Sequence, residues 1–175
     1  MLTWGLVPSW STDGKGFINA RVETLEERPS FNESFRWRRC LIPADGFFEW
    51  KRSGKEKRPF YFQSSQEAGL TFAGIWDIWR TRSGVITSCA IITTPANELV
   101  GELHDRMPAI LLPEFQDAWL DSRTGRLDLL RMLNPFPSSE MKKHPVSSKV
   151  NSTGNDTADL VVPVDTEVGQ TFSLF

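Results

Sequence analysis

Apolar positions in this chain come in short stretches separated by Gly, Pro, Ser and Asn, and many of the stretches alternate with polar residues or are rich in β-branched and aromatic side chains. A period of two between such punctuators reads as strand. The pattern predicts strands over residues 3–7, 40–43 continuing through 47–50, 59–63, 70–79, 85–93 and 109–112. The turn Arg52-Ser53-Gly54-Lys55 lies between two of these and predicts a hairpin with a basic tip.

Helical signals are fewer. Thr94 as a hydroxyl N-cap with Pro95 at the first helical position predicts a helix through Leu103, with Leu99, Val100 and Leu103 on one face. Two more are expected at 113–120 and 127–133, and 22–35 is expected to be helical in part, with Pro29 beginning or interrupting a helix there. Residues 134–139 and 147–156 read as loops around short extended pieces, and the stretch after Val164 lacks periodicity and reads as a disordered tail. The domain expected is therefore 1–164, with 165–175 as tail.

Composition narrows the class. A chain of 175 residues that is 39% hydrophobic and 24% charged has the size and apolar content of one globular domain with a substantial core. Its two cysteines, Cys40 and Cys89, are too few for a disulfide framework and lack the paired spacing of a structural zinc site, which favours a reducing cytoplasmic compartment. No metal or other cofactor is expected. No apolar run approaches the roughly 18 residues a membrane span needs, and no secretory signal opens the chain. The net charge of −2 gives no global signature of nucleic-acid binding, so any such affinity must come from a local cluster of Lys and Arg.

Three polar segments at the ends of apolar stretches hold the candidate chemistry: 18–23, 44–50 and 103–108. Glu49, between Phe48 and Trp50, sits in an apolar wall that would raise its pKa and suit it to acid–base work near neutrality. His104, at the end of the expected helix, is the natural proton-shuttling partner. The amide of Asn19 can orient a nucleophile or meet a developing oxyanion, and Arg21 and Arg106 can fork onto phosphate oxygens. The plainer readings stand beside these: a strand Glu ordinarily faces water, a His at a helix end often only caps carbonyls, and the two arginines can be surface ion-pair partners, for example of Glu23 and Asp105. His144, before Pro145, reads as structural. The runs Arg36-Trp37-Arg38-Arg39 and 51–58 could guide a phosphate backbone while Trp4, Trp10 or Trp37 stack on unpaired bases, and a solvated hairpin tip is the equal alternative for the second run.

Taken as a set, WGLVPSW, INARVET, RCLIPADGFFEW, ITTPAN, LHDRMPAIL, HPVS and LVVPV, in this order and spacing from Leu2 to about Val164, resemble the SRAP family of SOS-response-associated peptidases and abasic-site processing proteins. The resemblance implies an α+β fold, a single compact domain with a strand-rich, barrel-like core flanked by short helices and a positively charged cleft. It implies a single-stranded DNA partner, especially at abasic sites, no membrane partner, nucleoid association when DNA is bound, and by default a monomer. In the family, a cysteine directly after the initiator methionine is exposed by methionine removal; its amine and thiol then trap the abasic aldehyde as a thiazolidine. By the same resemblance Glu49 serves methionine removal and acid–base steps, His104 assists sugar opening and reversal, and Asn19 positions the reacting residue. Arg21 and Arg106 hold flanking phosphates, and Trp10 and Thr93 line the DNA cleft. Position 2 here is Leu, so the expectation is either a start further upstream or a shortened product that binds DNA without linkage. A small hydrolase using Glu49 and His104 without a thiol is the third reading, ranked last because no Ser or Cys nucleophile motif or metal set accompanies it.

Overall fold

The computed structural model describes residues 2–54, 56–66, 69–82 and 84–165; Lys55 of the basic turn and 166–175 of the expected tail lie outside them. Among the described residues the strands are β1 (Thr3–Trp4), β2 (Asn19–Arg21), β3 (Arg39–Ala44), β4 (Gly46–Ser53), β5 (Glu56–Ser64), β6 (Leu70–Thr81), β7 (Gly84–Pro95), β8 (Arg106–Pro108) and β9 (Met141–Pro145). The helices are short: α1 (Asn32–Trp37), α2 (Glu98–Gly101), α3 (Gln116–Leu120) and α4 (Arg126–Arg131), with single 3₁₀ turns between elements. The α+β architecture with a strand-rich, curled core agrees with the expectation. No helix among the described residues is long and apolar enough to cross a membrane.

One sheet runs β1–β7–β6–β3, with β2 and β8 also on β7; the other is β4–β5–β9. β6 reads as a nearly continuous apolar run because both of its faces are covered. Ala73 and Ile75 face one core with Ala20, Ala90 and Ile92, closed by Leu25, Phe31 and Phe35 and by Trp119, Leu129 and Leu133 of the helical part. Leu70 and Phe72 face a second core between the sheets, with Phe62, Val100, Met107 and Met141, against which Phe47 and Ile91 also pack.

Three expectations need correction. The predicted continuous strand through 40–50 breaks at Asp45, where the chain passes from one sheet to the other. Gly46 permits the crossing, since a Cβ there would lie 2.2 Å from the Phe62 carbonyl oxygen. The helix predicted from Thr94 begins instead at Glu98: Thr94 and Pro95 stay extended because they pair with Met107 and Arg106 of β8, and Asn97 supplies the cap, accepting the Val100 N–H at 2.9 Å. The strand expected at 109–112 is displaced to β8, and the chain beyond it keeps only a bridge between Ile110 and Phe72. Strand β2 is present where only a polar segment is legible in the sequence, and β9 falls in the short extended piece expected between the loops at 134–139 and 147–156.

Arg39 locks the helical part to the sheets. Only 8% exposed, its guanidinium donates to the carbonyls of Phe35, Arg36, Trp119 and Asp121 at 2.6–3.0 Å, and so caps the ends of α1 and α3 together. Burial pulls its pKa down, against the charge of Asp121. Removing the donors strands several buried carbonyls, each worth roughly 1–3 kcal/mol. Arg39→Met is therefore expected to cost about 3 kcal/mol in a urea denaturation, with Arg39→Lys intermediate; an unchanged midpoint would refute the clasp.

Candidate active site

β7 supplies the frame. Its later part is paired on one edge with β2, in parallel register Asn19 to Ile91, Ala20 to Ile92 and Arg21 to Thr93. On the other edge it pairs with β8, Thr93 to Pro108, Thr94 to Met107 and Pro95 to Arg106. Ala20 and Ile92 point into the first core, so strand alternation turns Asn19, Arg21 and Thr93 to the opposite face, where Ile91 packs on the inter-sheet core. Asn19 and Arg21 are exposed there.

Glu49 approaches the same region from the second sheet. Phe47, two residues earlier on the same face, stacks on Phe62 and meets Phe72 across the core, so Glu49, opposite Phe60, also points inward and is only half-buried. Burial raises its pKa above the usual carboxylate range. The charge of His104 and the Trp50 amide work against that rise, while Asp105 adds to it. Glu49 thus lies within electrostatic reach of His104. His104 follows α2 and is 47% exposed at its side chain. Its Nδ1 lies 3.0 Å from the Arg106 amide nitrogen and 3.2 Å from the Arg106 carbonyl oxygen, so it accepts from the amide when bare and donates to the carbonyl when it carries a proton.

Arg106 is the most constrained group of the cluster. It forms a bidentate ion pair with Glu23 and donates from Nη2 to the Thr93 carbonyl at 2.6 Å and to Thr93 Oγ1 at 3.3 Å. That pair holds the Glu23 carboxyl below the usual range. The partner of Arg106 is thus Glu23, which lies 83 residues away in sequence, rather than the adjacent Asp105, whose 3.3 Å contact is to His104. Glu23 pairs with distant Arg106, and that separation along the chain leaves no signal in the sequence. Arg21 has no ion-pair partner among the described residues.

Trp10 stands apart. It is 60% exposed on a loop fastened to the other face of the first sheet, where Val7 N–H donates to Ser88 Oγ and Ser9 N–H to Asp77 Oδ2, both at 2.8 Å. Asp77, buried, is ion-paired with Arg38 at 3.3 Å. His144 is structural as expected, its Nε2 2.8 Å from the Val161 carbonyl and its ring against Tyr61. Neither cysteine belongs to the cluster: burial pushes the Cys40 thiol up to about 12 and raises that of Cys89 as well.

The two sheets and this cluster define a small α+β protein with a half-buried carboxyl and an imidazole set beside arginine side chains. The chain belongs to the family described as SOS response associated peptidase (SRAP), which it matches over residues 1–153. It is 42% identical over 166 residues to the abasic site processing protein YoqW of Bacillus subtilis, covering 91% of this chain and 74% of that one. It is 31% identical over 191 residues to the abasic site processing protein HMCES of Xenopus tropicalis, covering 93% of this chain and 56% of the relative. A crystal structure of a Bacteroides thetaiotaomicron protein superposes with a TM-score of 0.87 at 31% identity, over 93% of this chain and 75% of that one.

The raised Glu49 pKa fixes the sign of a pH effect. A carboxyl that holds its proton more tightly when folded lowers stability as pH rises from the unfolded value, 4.5, through the folded one. Glu49→Gln removes that cost, so thermal melts should show the variant more stable than the parent at pH 7 and the gap closing toward pH 4. A constant gap across that range would assign the effect to packing instead.

Proposed function

We propose that this chain processes abasic sites in DNA, with single-stranded DNA as the preferred form. The observation that supports this reading is that half-buried Glu49 lies within electrostatic reach of His104, two residues before Arg106, which bonds Thr93, the β7 residue paired with exposed Arg21. The names of its relatives support the same reading.

In this reading Arg21 takes a phosphate beside the lesion, being exposed and without an ion-pair partner among the described residues. Arg106 is held in place by Glu23 and offers the second N–H of its Nη1 to another phosphate. Thr93 borders the strand. Glu49, holding its proton more tightly than an ordinary carboxyl, and His104 move protons as the sugar opens to its aldehyde. The amide of Asn19 orients the attacking group. Where a cysteine with a free α-amine is presented to this pocket, the amine condenses with the aldehyde and releases water. The thiol then adds to the imine carbon and closes the thiazolidine. Cys40 and Cys89 do not fill that role, since burial keeps both protonated and neither carries an α-amine. That observation favours the second reading for these 175 residues taken alone: non-covalent binding to abasic or undamaged single strands, using the same arginines.

On denaturing gels the chain as it stands is expected to leave abasic single-stranded DNA unlinked, and a form preceded by a Met-Cys segment to shift it. Linkage by neither, with binding retained, would leave the non-covalent reading; loss of both would reject the two together. In fluorescence anisotropy, Arg21→Ala should weaken binding and flatten the plot of log affinity against log salt by about 0.7, the share of one phosphate on a single strand.

A further inference from the structure

The basic stretch after Glu49 is not used by the pocket, yet the register gives it a defined geometry. β4 and β5 pair antiparallel with Lys51 opposite Arg58 and Arg52 opposite Lys57. All four side chains are exposed, and none has an ion-pair partner among the described residues. Glu102, an acid on which the charge of Lys51 acts, is already engaged by Lys143 at 2.7 Å. Like charges directly across a strand pair are destabilising, and here two such pairs are adjacent in a chain whose net charge is −2. A solvated hairpin needs no such arrangement, because one acid at either position of each pair would remove the repulsion.

The second observation is direction. Phe47, Glu49 and Lys51 alternate onto one face of β4, and Phe60 and Arg58 lie opposite the last two on β5. The face that carries Glu49 over the inter-sheet core therefore continues outward as Lys51 and Arg58. At about 3.3 Å per residue, the strand from Glu49 to Ser53 extends roughly 13 Å from the site.

We propose that the β4–β5 hairpin is a phosphate-binding arm that takes the backbone of the DNA strand continuing from the lesion. Its partner is the phosphodiester chain, chosen by charge alone, and its unpaired cations are the ones that release counterions on binding. The proposal rests on the abasic-site reading above and extends it to a second stretch of the same strand. The arm gives up hairpin stability to hold that stretch.

The test replaces repulsion by attraction. In the double variant Lys51→Glu, Lys57→Glu each substituted residue faces an arginine, so both cross-strand pairs become opposite in sign. Thermal melting should rise, showing that the variant folds. Anisotropy is read with abasic-analogue single strands of three kinds: long on both sides of the lesion, short on one side, and short on the other. On the long strand the variant is expected to bind about tenfold more weakly at 0.1 M salt, and its salt slope to be shallower by about 1.4 for two phosphates lost. Shortening the side that reaches the arm should abolish the difference between parent and variant; shortening the other side should leave it. Arg21→Ala, by contrast, should weaken binding on all three strands. Raised melting with unchanged affinity and slope on the long strand would overturn the arm while leaving the pocket reading intact. Failure of the parent chain to bind any of the strands would overturn both.

Discussion

The backbone of β7 is hydrogen-bonded along both of its edges, and the placement of every polar group in the cluster follows from that constraint. Its first part lies between β6 and β1, its last part between β2 and β8. Paired on both edges over its middle, the strand cannot slip, because a shift of one residue would move Ala90 and Ile92 out of the first core and onto the face that carries Ile91. The same pairing that buries Ile92 turns Thr93, and with it Asn19 and Arg21, outward. The position of the site and the burial of the core are thus two outcomes of one register.

Buried charge in this protein is shared among several partners, although Nε of Arg38, like that of Arg106, is buried without a hydrogen-bond partner. Arg39 spreads its charge over four carbonyls at the ends of two helices and so ties them to the sheet. Asp77 is satisfied by Ser9 N–H, Ile78 N–H and Arg38, which fixes the loop bearing the exposed Trp10. Near the pocket the accounting is looser. Glu49 is half-buried with its carboxyl raised, and Nε of Arg106 is buried without a hydrogen-bond partner. Groups held away from their preferred protonation state or short of partners are the ones able to exchange a proton or accept a ligand contact. The Glu23–Arg106 pair works between these extremes: it keeps a guanidinium fixed at the junction of β2, β7 and β8 while leaving its charge near the exposed face.

Most strands were legible because their period of two and their Gly and Pro boundaries are local properties, and β5, β6 and β7 fall where the alternation puts them. The misses share a cause. Thr94-Pro95 has good helix-start chemistry, but pairing with Met107 and Arg106 outweighed it, and Asn97 offered an equal cap three residues on. Three-residue β2 carries no periodic signal of its own and is a strand only because β7 lies beside it. Residues 40–50 look like one strand because alternation continues through Asp45; the change of sheet is written only in the absence of room for a side chain at Gly46. Glu49, His104, Asn19 and Arg21 stood out as polar groups at the ends of apolar stretches, whereas the pairing of Glu23 with Arg106 joins residues 83 apart and left no trace along the chain.

By itself the sequence determined the strand-rich class, the family, the candidate acid and base and the basic run at the hairpin, since these depend on residue type and near-neighbour spacing. Only the tertiary structure decided which face each residue takes, which arginine is paired and which is exposed, that Lys51 meets Arg58 and Arg52 meets Lys57, and that Glu49 comes within electrostatic reach of His104. Those are relations between segments distant along the chain, and they are set by strand register and by the burial of two cores, neither of which any local stretch of sequence specifies.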